Sequence, residues 1–347
     1  MPESITDKLL TSEEPSVRWK VLLQVCGGNS TSAETEKLRR EIRTSRRVKQ
    51  LLSERDADGS IPFHPYAKWY GAHWVLASLA DLGYPPGDRS LVPLREQVYQ
   101  WLFSERHQAG IRCIAGRVRR CASQEGNAVY YLLSLGLADE RTEALVERLR
   151  AWQWPDGGWN CDVSPKAVNS SFMESLIPLR ALALHARTTG NKHSEAAARC
   201  AAEVFLKRRL FKRQQDGSII SMDFIRLHYP WFWRYDVLFG LKVMAEANFL
   251  SDHRCHDALG LLEKKRLADG GFAAEGKYYR VTKKLMSGRS VVDWGGASKS
   301  RMNEFVTVEA LSVLKQAESL PTTILSSPGL NHEIRASDDH RESRSNG

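Results

Sequence analysis

The chain has 347 residues, 42% hydrophobic and 26% charged, a globular composition with ample apolar material for a large core and no signature of a disordered chain. Apolar runs are too short for a transmembrane helix, and MPESITDKLLTSEEPS (1–16) carries early acids without an apolar segment, so a cytoplasmic protein without a signal peptide is expected. A net charge of +9 leaves an anionic partner open, but no nucleic-acid motif accompanies it, and six cysteines are too sparse for a disulfide scaffold and read as reduced thiols.

In chain order, PSVRWKVLLQV (15–25) predicts a buried helix and AETEKLRREIRTSRRVKQLLS (33–53) an amphipathic one. The same alternation then repeats. WYGAHWVLASLADLG (69–83), GNAVYYLLSLGL (126–137), SSFMESLIPLRALALHA (170–186), WFWRYDVLFGLKVMAEANFL (231–250) and NEFVTVEALSVLKQ (303–316) are apolar nearly all round, the pattern of helices buried on every side. The segments 91–105, 141–152, 194–209 and 256–266 follow the first four and keep one wet face.

The joints between these pairs share a pattern. RDADGSI (55–61), QWPDGGW (153–159), RQQDGSI (213–219) and RLADGGF (266–272) each place Asp-Gly two positions before a large apolar residue, and RHQAGIR (106–112) is a weaker copy. Their glycines, Gly59, Gly110, Gly157, Gly217 and Gly270, are 51, 47, 60 and 53 residues apart. Asp-Gly is turn chemistry in which glycine supplies positive φ. A hairpin repeated at about 50 residues must stack on its neighbours to bury its faces. Because the buried helices have no polar stripe to wet a concave surface, the stack is expected to close on itself. The expectation is an all-α chain: an α/α toroid of about six hairpins in one domain (1–320), followed by a polar, disordered tail (321–347).

QWPDGGW matches the QxxxGxW signature of squalene and oxidosqualene cyclases in full; the other loops carry Arg55, Arg213 and Arg266 in place of the glutamine. The chain therefore resembles the terpene cyclase and protein prenyltransferase β-subunit superfamily over about residues 15 to 316, and WQWPDGGWNCD (152–162) resembles small bacterial prenyltransferase-like proteins. That resemblance implies the toroid, with Gln and Trp side chains tying an outer helix to the next turn. It also implies an isoprenoid enzyme acting on a small apolar or prenyl-diphosphate-like substrate in a central cavity. The family's DxDD acid motif is absent, and KAVNSSF (166–172) lacks the Asp and Cys zinc ligands of the prenyltransferases.

Other residues offer chemistry of their own. Cys121 and Cys161 occupy comparable places in successive repeats, so with Asp162 and His228 they form a four-ligand candidate for zinc; two buried structural thiols are the alternative. Asp236, on an aromatic stretch, and Asp162 are the candidate acids, with ion pairing the structural alternative for Asp236. Trp233 and Trp74 would line an apolar or cationic substrate. Arg280, Lys283 and Arg301 sit on loops that would hold an anionic head group. His253, Cys255 and His256 read as surface or capping residues. Two further readings compete with the isoprenoid enzyme: a noncatalytic helical-repeat protein that binds a partner or a lipid, and a zinc-dependent enzyme that activates thiols, resembling lanthionine cyclases in principle.

Overall fold

The computed structural model describes residues 3–320; the tail expected to be disordered lies outside them. The described chain is mostly helical, with helices α1 (Ile5–Leu10), α2 (Pro15–Lys20), α3 (Ala33–Arg43), α4 (Arg46–Leu51), α5 (Ala72–Leu82), α6 (Val92–Leu102), α7 (Glu105–Ala109), α8 (Ser123–Ser134), α9 (Glu140–Ala151), α10 (Phe172–Thr189), α11 (Lys192–Leu206), α12 (Val237–Glu246), α13 (His256–Glu263) and α14 (Glu304–Glu318). Two short pairs of strands interrupt the joints. β1 (Arg112–Ile114) is antiparallel to β2 (Arg117–Arg119), and β3 (Arg280–Val281) is parallel to β4 (Arg289–Ser290). No helix of the described residues is long and apolar enough to cross a membrane.

Local chemistry sets the boundaries. Ser32, Ser45, Asn191 and Asn303 each accept a backbone N–H at a helix start, and Asp139 closes a capping box with Thr142. The Ser45 cap divides the helix expected over 33–53 into α3 and α4. Asp236 caps α12 through Phe239 N at 2.8 Å. The helix expected over 231–250 is therefore corrected to Val237–Glu246, and Trp231–Tyr235 is irregular.

The apolar helices contact one another in succession: α5 on α8, α8 on α10, α10 on α12, α12 on α14, and α14 on α2 and the π-turn that continues it. Ser16 of α2 donates to the carbonyl of Leu82 at the end of α5 (2.7 Å). Gly126 of α8 lets α10 approach: a Cβ there would stand 2.9 Å from Pro178 N. The more polar helices α6, α9, α11 and α13 pack outside their apolar neighbours α5, α8, α10 and α12.

The joints work as ties. Gln153 Nε2 donates to Gly157 O within its own turn (2.7 Å) and to Ala197 O on α11 (2.8 Å). Trp159 Nε1 reaches back to Leu149 O on α9 (2.9 Å). Gly157 has φ +101°, and a Cβ on it would lie 2.2 Å from Cys200 O, so the turn is seated directly on α11. In the degenerate copies, Arg55 donates to Ser90 O at 3.1 Å and Arg266 to Gly270 O at 3.4 Å. Arginine thus takes over part of the glutamine's task.

Between the apolar helices the interior is filled. Tyr229, Trp231 and Phe232 enter it from the irregular segment before α12: Tyr229 stacks on Phe305 (4.6 Å), Trp231 on Phe239 (4.7 Å) and Phe232 on Trp69 (4.1 Å). About 10 Å³ of free space remains among them, the size of one water site. Deeper in, a chain of charges crosses five helices: Lys20–Glu309 (2.5 Å), Glu309–Lys242 (2.6 Å), Lys242–Glu246 (3.2 Å), Glu246–Arg180 (2.6 Å) and Arg180–Asp81 (3.0 Å). Three cations face three acids, and Arg180 also stacks on Tyr130 at 3.7 Å.

Candidate functional site

Arg119 and Asn160 pair as a parallel bridge, which lays the end of the β1–β2 hairpin beside the strand that leaves the QWPDGGW turn. Arg119 locks this arrangement. It is buried, stacks on Trp154 (4.4 Å), and donates to Asp162 O (3.1 Å) and Ala167 O (2.8 Å). One or two residues beyond the bridge, Cys121 and Cys161 come together at the starts of α8 and α10. Glu174, in the first turn of α10, completes the group: the two Sγ atoms and a carboxylate oxygen all lie within 4.8 Å of one another. Cys161 Sγ is 3.8 Å from Glu174 Oε1, while Glu174 Oε2 accepts the N–H of Ser123 (3.0 Å).

The electrostatics are those of anions crowded together. Cys121 donates to Cys161, which lowers the Cys161 thiol against the effect of burial. The same bond, with burial adding, raises Cys121. Burial raises the Glu174 carboxyl, opposed by the Ser123 N–H. A second acid stands behind them. Glu125 is fully buried; one oxygen accepts from His107 Nε2 (2.7 Å) and the other has no partner. One Arg120 nitrogen lies within hydrogen-bond distance of both ring nitrogens of His107, 2.6 Å from Nδ1 and 2.9 Å from Nε2, and donates to Gln124 (3.3 Å). His64, Trp101, Arg106, His107 and Arg120 line an open depression of about 730 Å³ on the solvent side. Burial raises the phenol of Tyr66, which stands near both thiols.

A tetrahedral zinc ion with Zn–S bonds of about 2.3 Å needs ligand atoms roughly 3.5–4 Å apart. Cys161 Sγ and Glu174 Oε1, 3.8 Å apart, meet that spacing, and Cys121 Sγ lies within 4.8 Å of both; the second oxygen of Glu125 has no hydrogen-bond partner among the described residues.

The expected ligand set is thus met in part. Cys121 and Cys161 are brought together, but Asp162 and His228 are not with them. Asp162 is exposed and its carboxylate caps the turn at Ser164 N (2.8 Å), because Arg119 draws its carbonyl inward. His228 Nδ1 is 2.8 Å from Asp236, whose carboxylate also accepts His228 N and Phe239 N. Asp236 is therefore a fully buried cap and histidine partner with no cavity before it, and neither Asp236 nor Asp162 is placed as an acid facing a substrate.

Trp74 is buried against Trp69 (4.7 Å) and Tyr66 (5.1 Å) in the packed core. Trp233 is half-buried between the cations of Lys68 (5.0 Å) and Arg234 (5.1 Å). Arg280, Lys283 and Arg301 are exposed and have no ion-pair partner among the described residues. In 252–257, His253 is exposed as expected, but Cys255 is buried and the cap is Asp252, which accepts Arg254 N.

Glu174 and Glu125 are the residues that sequence reasoning missed. A signal existed: each is the single acid in the first turn of an otherwise apolar helix, at the same position of successive repeats. No family model matches the chain, and no curated protein is significantly similar to it.

Proposed function

We propose that the chain is an α/α toroid of the squalene-cyclase and prenyltransferase β-subunit kind, and that it is a zinc enzyme whose metal is held by Cys121, Cys161 and Glu174. The toroid reading rests on the succession of helix contacts that returns from α14 to α2 and from α2 to α5, and on the Gln153 and Trp159 ties. The zinc reading rests on one observation above the rest: two thiols and a buried carboxylate from adjacent repeats converge at one point. Three protein ligands leave a fourth position open, the pattern of catalytic rather than structural zinc.

Zinc held there would supply Lewis-acid chemistry and favour the thiolate forms of its ligands. The chain's own residues set the surroundings. His107 holds one oxygen of Glu125 and keeps that carboxylate behind the ligands. Arg120 places a cation between the ligands and the open depression. Tyr66, Trp74 and Trp101 form an aromatic wall that limits water on one side. A substrate reaches such a centre from the depression at His64 and Trp101, and the class of reaction is activation of a bound thiol or water.

Elemental analysis of the purified chain tests this. One zinc per chain is expected, lost in both Cys121→Ser and Cys161→Ser and weakened in Glu174→Gln. Undiminished metal in the double cysteine variant would remove the centre. A noncatalytic scaffold is the second reading, favoured by the filled interior: with about 10 Å³ free, an isoprenoid chain enters only if Trp231 and Phe232 leave. Mass spectrometry of co-purified lipids separates these, since a bound prenyl compound would restore the isoprenoid reading.

A further inference from the structure

Two of the joints between the helices carry dense positive charge. The segment 111–122 carries four arginines and no acid, and 275–302 carries seven cations against Glu275 and Asp293. Both segments lead into apolar helices, α8 and α14. So do 160–171, before α10, and 213–236, before α12. These joints adjoin one another at one end of the helices: Arg119 bridges Asn160, His228 bridges Gly276, Phe172 and Phe224 are 5.0 Å apart, and Trp69 N donates to Arg289 O (2.8 Å).

The same joints hold every large apolar side chain that is exposed among the described residues: Val163, Val168, Ile219, Met222, Val281 and Leu285, from 36% to 64% exposed. None lies on an α-helix, and Met222 opens a short 3-10 turn, Met222–Ile225. Cations stand beside them in sequence, with Lys166 between Val163 and Val168, and Lys283 and Lys284 between Val281 and Leu285. All three of these lysines are exposed and none has an ion-pair partner among the described residues.

We infer that this end of the molecule docks on the surface of an anionic phospholipid bilayer. The inference is independent of the metal centre, though it would set Cys121 and Cys161 near the lipid. Aliphatic knuckles flanked by Lys and Arg suit the boundary between head groups and acyl chains, where the apolar tips are buried and the cations meet lipid phosphates. Isolated exposed aliphatics are common on soluble proteins. Here, however, all of them lie on the joints before the apolar helices, with exposed lysines beside them, and no other large apolar side chain is exposed among the described residues. A nucleic-acid strand would be held by exposed aromatic rings interleaved with cations, and no exposed aromatic ring accompanies these loops.

Co-sedimentation of the full chain with vesicles tests the proposal. Binding is expected to phosphatidylserine-containing vesicles at low salt, with little to phosphatidylcholine alone and a steep decline as salt rises. At about 1 kcal/mol for each cation near an anionic surface, K283Q/K284Q should weaken partitioning on the order of thirtyfold. Val281→Asp with Leu285→Asp should abolish it while circular dichroism stays unchanged, since all four positions are exposed. Failure to sediment with anionic vesicles at low salt would overturn the inference. Partitioning indifferent to both pairs of substitutions would do the same, as would capture of single-stranded RNA by the same lysines with no vesicle binding.

Discussion

Two buried polar clusters lie within one helical body, and they are built to opposite standards. The charge chain from Lys20 to Asp81 alternates cation and acid at every step, with each carboxylate between two cations or ending the row. The cluster of Cys121, Cys161, Glu174 and Glu125 gathers four groups that are neutral or negative, and leaves one Glu125 oxygen without any partner. A satisfied network fixes packing and asks for nothing further. The other cluster lies beside an open depression lined by His107 and Arg120, and a buried oxygen without a partner sets it apart from the charge chain.

The strongest way to break this contrast is Glu309→Gln. That change leaves Lys20 in the core with no carboxylate and Lys242 with Glu246 alone, and a buried charge stripped of its partner costs about 3–5 kcal/mol. Urea unfolding should show a loss of that order; a loss under about 1 kcal/mol would mean the network is wetter and looser than described. Glu125→Gln should behave differently. Its amide oxygen can keep the His107 bond, and the amide nitrogen replaces an oxygen that already has no partner, so metal-free stability should be nearly unchanged. Zinc affinity should nevertheless fall about ten- to a hundredfold, the usual effect of losing a group behind the ligands. Equal losses in both variants would erase the distinction between the clusters.

Acid titration sharpens the same contrast. Burial opposes ionisation of Glu309, but Lys20 and Lys242 hold its carboxyl down to about 2. A depressed carboxyl contributes stability above its unfolded value near 4.5, and that contribution is lost as pH falls toward 2. His73 acts earlier. Burial, with the nearby His107 adding, lowers it to about 3, and its Nε2 has no partner. The unfolded ring takes its proton near pH 6.5 while the folded ring does not, so stability from the neutral His73 falls as pH drops from 6.5 toward 3. Thermal melts should therefore decline in two stages. His73→Phe should flatten the first and Glu309→Gln the second; a single stage below pH 4.5 would show His73 to be hydrated.

How much of this could be read beforehand follows from what repeats and what does not. The hairpins were legible because Asp-Gly turns and the alternation of buried and amphipathic helices recur with one period, and local chemistry alone enforces them. Cys121 and Cys161 were legible as a pair for the same reason, being in equivalent places. His228 and Asp162 stand apart from the thiols because other partners take them: Arg119, from the preceding repeat, takes the Asp162 carbonyl, and Asp236, eight residues on, takes His228. The filling of the interior was also hidden. Trp231–Tyr235 looks like the start of a buried helix in apolar pattern, but the Asp236 cap makes the helix begin afterwards, and the preceding aromatics pack inward as irregular chain.

The smallest expected effect bears on the repeat itself. Arg266 donates weakly to Gly270 O (3.4 Å) and strongly to Glu263, at 2.6 and 2.9 Å, on a partly exposed surface. Restoring the signature with Arg266→Gln would recover a short amide-to-carbonyl tie like that of Gln153 while giving up a surface ion pair. An exposed pair of this kind contributes about 0–1 kcal/mol and a neutral hydrogen bond about 0.5–1.5 kcal/mol. The balance predicts a change within about 1 kcal/mol, favourable at high salt, where the Glu263 pair is screened and the amide tie is not. Unfolding in low and high salt measures the sign directly. A variant that loses stability equally at both would mean that arginine holds this turn through the length of its side chain, and that the degenerate joints are a different solution from the QWPDGGW one.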